Sequence, residues 1–542
     1  MKKIFSFVKP YIKNYKIKMA SFVLICLVLS GISMILPFIN GKFIDALTNQ
    51  IPVVSVIYFA CAFLLISILG LVLGYKRDRT YAVLQSKIGF DVNYAVIKHV
   101  QSLPYAVIQK YNSVYLSERI SSDAMSLTVF ALNFFQNCIV NTASILLALF
   151  MVSFYSKWIT VWILILLPFY YISYKGLKNH LFQENYKLRE LQSVFAKHLN
   201  QQVSHVKFMK LHSVVNYFRE KLENVFHKSL EQVLKYQRIS YLFQSVDGII
   251  SMLTQSFLII FAGINIVRGH MTIGEFTIIS SYTAILMRGV KYFFTLGQTI
   301  QENLVSYQRL EDLMDIQEER NGGMELEEIK KMEVTIGEFK FGETSLFKNI
   351  NLTFQRGNIY VVRGENGIGK STLCEIMLGI YHADVSGAVK YNGIPIEDLN
   401  MKKLRKEKIA VAEQNPLLFE DSLSRNFSVE ENPDFQQINK YISIFNLMDV
   451  IKTHENGLEF LVNEKSDNFS GGEKQKISII RELAKNPDVI FLDEPTASLD
   501  KESSKILLDL LEGLKKNKII IIVTHDKDLI DRGDVGIDLD KL

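Results

Sequence analysis

The order of apolar and polar positions divides the chain into two unlike parts. Up to about residue 300 it carries apolar runs long enough to cross a hydrocarbon layer ~30 Å thick, which takes ~20 helical residues. Six such runs stand out: Met19–Ile39, Val53–Leu73, Leu127–Phe154, Trp158–Tyr174, Ile249–Val267 and Ile273–Leu296, the last interrupted by Arg288 and Lys291. Buried helices of a soluble core keep a polar stripe that these runs largely lack, so the pattern predicts membrane helices. The stretches 76–126 and 175–245 are polar and helical in period, which predicts helices continuing beyond the membrane. From about residue 325 short β-branched runs, such as Ile359–Val362 and Val489–Leu492, alternate with helical stretches and predict an α/β domain. The expected architecture is multi-domain: an all-α polytopic membrane domain over 1–320, a linker over 321–329 in the acidic segment Gln317–Glu328, and an α/β domain over 330–542.

Charge orients the spans. Lys2, Lys3, Lys9, Lys13, Lys16 and Lys18 precede the first, and Lys76, Arg77 and Arg79 follow the second, so both ends belong on the cytoplasmic side of the cell membrane. The α/β domain then lies in the cytoplasm too. Residues 3–12 place Ile4, Phe5, Phe7, Val8 and Tyr11 among lysines and read as an amphipathic helix on the inner membrane surface, or as a solvated tail. His198, His205 and His212 recur every seven residues, on one face of a helix, but ~10.5 Å per step is too far to share a metal ion. Phe169, Tyr170, Tyr171 and Tyr174 read as an interfacial aromatic belt.

Composition excludes more than it assigns. With 49% hydrophobic residues the chain is not disordered, and a net charge of +5 in 542 residues gives no reason to expect a nucleic-acid partner. Cys26, Cys61, Cys138 and Cys374 are scattered, with neither a disulfide framework nor metal-ligand spacing.

The chemistry sits in the second part. Gly364-Glu365-Asn366-Gly367-Ile368-Gly369-Lys370-Ser371-Thr372 follows an apolar strand and opens a helical run, the context a P-loop needs for its backbone amides to wrap phosphate oxygens. Lys370 is then expected at the β- and γ-phosphates of ATP and Ser371 on Mg2+. Val489–Leu492 ends in Asp493 and Glu494, the first placed to hold the ion and the second to orient or deprotonate the attacking water.

Phe469-Ser470-Gly471-Gly472-Glu473-Lys474-Gln475 resembles the signature sequence of ATP-binding-cassette proteins. Further elements appear in that family's order: Gln414 as the Q-loop, which also serves the metal, Ala497-Ser498-Leu499-Asp500 as the D-loop, His525 as the switch histidine and Phe341 in place of the adenine-stacking Tyr. In the first part, Leu103-Pro104 followed by Arg119 and Ser122-Asp123 resembles the first intracellular coupling region of exporter-type half-transporters, with Val114 for the usual Gly. Arg268–Phe276 and Tyr307-Gln308-Arg309-Leu310 resemble the last span and its exit, Gly289 replacing a customary Pro. Phe469 replaces Leu and Glu473 replaces Gln in the signature, and Val462–Ser466 lacks the usual glycines.

The resemblance implies a six-helix half-transporter fused to one α/β P-loop cassette, an ATPase coupled to transmembrane movement. It implies a dimer, in which Ser470 and the amides of Gly471 and Gly472 act on the other subunit's nucleotide, and it counts Glu473 and Asp500 among the nucleotide-binding residues. A homodimer is the simpler reading and the active half of a heterodimer the alternative. Residues near 111–121 and 203–214 are expected to pass motion to the membrane helices. The implied cargo is a peptide or other amphipathic molecule, with drug or lipid export as the alternative and import as a third reading. Within the spans, Asp247 is expected to contact Arg288 or Lys291 beside a cavity, leaving a spare positive charge.

Overall fold

The computed structural model describes residues 2–49, 52–111, 116–117, 119–341, 344–381, 385–430, 433–454, 456–463, 466 and 468–541. Val114 lies outside them, as do 464 and 465 ahead of the signature. They form two compact units, one of Met1–Gln101 with Asn112–Ile316 and the other of Ser102–Tyr111 with Gln317–Leu542.

The first unit is helical: α1 (Lys2–Lys13), α2 (Lys16–Thr48), α3 (Val53–Ser102), α5 (Ala124–Tyr155), α6 (Lys157–Ser204), α7 (Val206–Leu211), α8 (Val215–Val267) and α9 (Ile273–Met314), with α4 (Tyr105–Ile108) in the segment that joins the other unit. A π turn, Arg119–Asp123, leads into α5. Among the described residues, five helices are long and apolar enough to cross a membrane: α2, α3, α5 with its π turn, the start of α6, and α8. The sixth expected span, α9, is one continuous helix through the interrupting Arg288 and Lys291.

Local chemistry sets the helix ends. Ser156 turns extended between α5 and α6 and its hydroxyl accepts the Ile159 amide. Thr272 opens α9 with a capping box, its hydroxyl accepting the Glu275 amide at 3.0 Å while the Glu275 carboxylate accepts the Thr272 amide. Where α2 meets α9 the backbones close in, because a Cβ on Gly41 or Gly274 would overlap the other helix, and Asp45 accepts the Gly274 amide at 2.8 Å. Tyr282, fully buried, donates to the Met34 carbonyl at 2.6 Å. On α6 and α8, Trp162 and Phe257 stack with ring centroids 4.3 Å apart.

Two expectations change. The amphipathic α1 is neither a solvated tail nor a helix that spends its apolar side on lipid: Ile4 and Val8 are fully buried, Phe5 packs on Phe130, Phe134 and Phe135 of α5, and Phe7 meets Tyr307 of α9. The three histidines do not share one helix, because α6 ends at Ser204 and His205 caps both it and the short α7, which His212 closes.

The second unit holds an antiparallel sheet of order β2-β1-β4-β5 and a parallel sheet of order β6-β7-β8-β3-β9. The strands are β1 (Lys331–Phe341), β2 (Thr344–Gln355), β3 (Ile359–Arg363), β4 (Val385–Tyr391), β5 (Ile394–Pro395), β6 (Ile409–Ala412), β7 (Val489–Asp493), β8 (Ile519–Val523) and β9 (Val535–Asp538). The parallel sheet is covered on both faces, and alternation along each strand feeds two cores. Tyr360 and Val362 face one, Ile359 and Val361 the other.

The stretch expected as a linker is bound to this unit. Met324 exchanges backbone hydrogen bonds with Asp398 and Asn400, Glu319 pairs with Arg405 at 2.8 Å, and Ile329 is fully buried. The Ser102–Tyr111 segment also belongs here. Pro104 opens α4, Ala106 packs on the core, and Gln109 accepts a 2.9 Å hydrogen bond from the Tyr381 hydroxyl. This seat lies just ahead of the 111–121 stretch expected to couple.

Candidate functional site

The carboxyl edge of the parallel sheet gathers the predicted chemistry, since β3, β8 and β7 are neighbours and each ends in one part of the site. After β3 the chain turns through Gly364, Gly367 and Gly369, with φ of 159°, 87° and 105°, into α10 (Lys370–Met377). Gly369 is required twice over: its φ is left-handed, and a Cβ there would lie 2.7 Å from Leu346 and Phe347 atoms. Asp540 accepts the Glu365 amide at 3.1 Å and steadies the loop from the far end of the chain.

Lys370 turns back over this loop. Its ammonium donates to the carbonyls of Gly364 at 2.8 Å and Glu365 at 3.1 Å, and its Nζ lies 2.9 Å from His525 Nε2. The Ser371 hydroxyl donates to Asp493 at 2.6 Å. Glu494 follows with φ of 44°, a left-handed conformation unusual for a non-glycine residue. Its amide donates to the Val523 carbonyl at 2.8 Å, so the β7–β8 pairing holds the turn. Its carboxylate accepts the Thr524 hydroxyl at 3.3 Å and lies 3.8 Å from His525 Nε2. Five predicted residues, Lys370, Ser371, Asp493, Glu494 and His525, thus meet at one edge.

Oxygen donors at Ser371 and Asp493 fit a hard divalent cation. Burial, and then the carboxylates of Glu413 and Asp493, push the Glu375 carboxyl above its ordinary range, so negative charge already collects where a cation would relieve it. Gln414, two residues past β6, is exposed beside Glu413. The Phe341 side chain lies outside the described residues. Burial raises the Cys374 thiol, which removes it as a nucleophile.

The signature forms a second cluster. Ser470 caps α11 (Gly471–Leu483) in a capping box: its hydroxyl accepts the Glu473 amide at 3.3 Å and the Glu473 carboxylate accepts the Ser470 amide at 2.7 Å. The acid at 473 therefore does local work that its charge favours at a helix start. Gly472 has no room for a Cβ, which would lie 2.7 Å from the Ser498 carbonyl. Phe469 is buried against Phe460 and His454, so bulk is what the position needs. Asp500 caps α12 (Lys501–Leu514), accepting both the amide and the hydroxyl of Ser503, and those bonds with Lys476 pull its carboxyl down to about 2. Among the described residues no hydrogen bond joins this cluster to the Gly364–Thr372 loop.

Sequence reasoning missed Thr524 and Asp540, which hold Glu494 and Glu365. Thr524 stands beside His525 in the same motif, so its signal was adjacency. Asp540 had none. In the first unit two stretches that the sequence reading had taken separately meet, with Arg309 pairing with Asp123 at 2.7 Å and Arg119 donating to the Arg309 carbonyl at 3.0 Å.

The ABC transporter transmembrane region model matches residues 20–290, and the ABC transporter model matches residues 347–497. The chain is 24% identical over 451 residues to the ATP-dependent lipid A-core flippase of Vibrio vulnificus (strain CMCP6), covering 82% of this chain and 77% of that one. It is 23% identical over 541 residues to the flippase of that name from Photobacterium profundum, covering 97% and 91%. A solved bacterial Atm1-family ABC exporter with ATP bound superposes with a TM-score of 0.84 over 97% of this chain and 94% of that one, at 17% identity.

Proposed function

Because the chain belongs to the ABC transporters, an ATPase cassette following an exporter-type membrane domain, we propose that it exports a peptide or other amphipathic molecule across the cytoplasmic membrane by alternating access. The observation that carries the reading is the convergence of Lys370, Ser371, Asp493, Glu494 and His525 on one sheet edge, in the same chain as the membrane-length helices. The membrane part ends near residue 316, and the cassette begins where Gln317–Lys330 docks on it.

In this reading the P-loop amides and Lys370 bind the phosphates of ATP, the ammonium exchanging the Gly364 and Glu365 carbonyls for phosphate oxygens. Ser371 and Asp493, with Gln414, hold Mg2+, which supplies charge neutralisation at the phosphates. Glu494 accepts a proton from water as that water's oxygen bonds to the γ-phosphorus and the bond to the β-phosphate oxygen breaks, giving ADP and phosphate. Thr524 fixes the carboxylate's aim, and His525 faces the γ-phosphate from the neighbouring strand. Ser470 and the amides of Gly471 and Gly472 act on the nucleotide of a second copy, a reading supported by their cluster making no hydrogen bond, among the described residues, to this chain's own P-loop. The amino terminus and cassette lie in the cytoplasm, in keeping with the lysines before α2.

A second reading, movement of a lipid, is favoured by the names of the curated relatives. Both are tested by ATP-dependent uptake into proteoliposomes with outward-facing cassettes, offered a cationic peptide, an acidic peptide, a fluorescent drug and a labelled lipid. Peptide uptake that Glu494→Gln abolishes supports the first reading, and lipid movement alone supports the second. ATP hydrolysis without uptake of any of them sinks both.

A further inference from the structure

A cavity of about 530 Å³ opens between α8 and α9, inside the first unit and far from the nucleotide chemistry in sequence. Its α8 wall carries Asp247, Ser251 and Gln255, four residues apart and so on one helix face, and its α9 wall carries Thr283, Met287 and Lys291 in the same spacing, with Ala284 and Arg288 four apart in the row beside them. Both walls lie in stretches that the apolar pattern places at the membrane.

The charges in this cavity do not balance. Lys291 donates to Asp247 at 2.6 Å, so the expected contact forms with Lys291 rather than Arg288 and consumes that acid. Arg288 is exposed to the cavity and pairs with no acidic group among the described residues. The other described lining residues are neutral, so among the described residues the wall carries one positive charge in excess. Beside it the Thr283 hydroxyl, on a residue 2% exposed, has no hydrogen-bond partner among the described residues. An uncompensated cation at membrane depth is costly, and a buried hydroxyl without a partner adds to that cost. A ligand that brings an anionic oxygen removes both. Arginine's planar fork suits carboxylate and phosphate, while Met252, Ala284 and Met287 offer apolar, adaptable surface beside it.

We infer that this cavity binds the transported molecule, and that the molecule is an amphiphile bearing a phosphate or carboxylate next to an apolar chain, with Arg288 as its anion-binding residue. The inference rests on the export reading and narrows its cargo. Asp247 acts as a brake on the same site, since it neutralises the second cation.

Binding is measured without ATP on protein in nanodiscs, using a fluorescent twelve-carbon chain that carries a phosphate, a carboxylate or a trimethylammonium head, with inorganic phosphate as competitor. The wild type is expected to prefer the two anionic probes over the cationic one by about tenfold or more, the worth of a charge-assisted hydrogen bond. Arg288→Gln should erase the preference and Arg288→Lys should retain most of it. Asp247→Asn, which frees Lys291, should tighten the anionic probes, an effect opposite in sign to any loss of folding. Equal binding of all three probes, or an unchanged preference in Arg288→Gln, overturns the site. Displacement of the phosphate probe by inorganic phosphate at equal concentration overturns the amphiphile. Loss of the export reading would show separately, as probe movement in proteoliposomes that is the same in the wild type and in Glu494→Gln, with the binding preferences intact.

Discussion

Tyr381 lies where the nucleotide site meets the segment that leads to the membrane helices. It sits four residues beyond α10, whose first residues are Lys370 and Ser371, so a shift of the P-loop reaches it through a rod ~12 Å long. There its hydroxyl holds Gln109 at 2.9 Å, while its ring, 3% exposed, packs 6.0 Å from Tyr105 and 5.7 Å from Phe339. Tyr381→Phe removes the hydrogen bond and keeps the ring. The bond is worth about 0.5–1.5 kcal/mol, which weakens docking of Ser102–Tyr111 by roughly two- to twelvefold. Unfolding of the second unit should shift by only about 1–6 °C. ATP turnover should therefore persist while the amount of probe moved per ATP hydrolysed falls. Tyr381→Ala also removes the ring, costs about 3–5 kcal/mol and lowers stability together with coupling. Combining Tyr381→Phe with Gln109→Ala distinguishes the cause, because two partners of one bond cannot be lost twice. Additive effects in that double variant, or an unchanged ratio of transport to hydrolysis in Tyr381→Phe, would refute the reasoning.

Two further outcomes can be checked on the same preparations. Gly274→Ala forces a methyl group into the Gly41 carbonyl and the Asp45 carboxylate, an overpacking that costs about 1–3 kcal/mol, so its melting temperature in detergent should fall. Gly31→Ala, where nothing lies within 4 Å of a new Cβ, should not fall and serves as the control. The Asp500 carboxyl, held at about 2 instead of 3.8, stabilises the fold fully above about pH 4 and loses that contribution as pH falls toward 2. The stability gap between wild type and Asp500→Ala should therefore hold constant from pH 7 to 5 and narrow below 4, as followed by chemical unfolding.

Short-range chemistry was the legible part. Gly364–Thr372, Asp493, Glu494 and His525 could be read because each lies at or just past a strand end, where a few backbone angles fix where the side chain goes. The apolar runs gave the spans for a similar reason, as a membrane imposes a length and a composition. What could not be read was the choice among tertiary partners. Both Arg288 and Lys291 could reach Asp247 by helical spacing, and packing decided for Lys291. The apolar side of α1 looked ready for lipid, and only the presence of Phe130, Phe134 and Phe135 across from Phe5 shows that protein covers it. The seven-residue histidine spacing assumed an unbroken helix, and the break at His205 carries no glycine or proline to announce it. Glu473 looked like a departure from pattern until its carboxylate was seen closing the helix cap.

The seat of Ser102–Tyr111 also bears on how the protein is made. Its receiving surface, with Tyr381 and Phe339, is synthesised long after the segment that covers it, by tens of seconds at ordinary ribosomal speed. The nascent cassette therefore meets a cover that already hangs from two finished helices, and never has to wait with that patch bare. A cassette produced alone, from Gln317 onward, would carry the patch uncovered from its first moment. Such a cassette is expected to be less soluble than one that includes those ten residues, and supplying them as a peptide should restore its solubility.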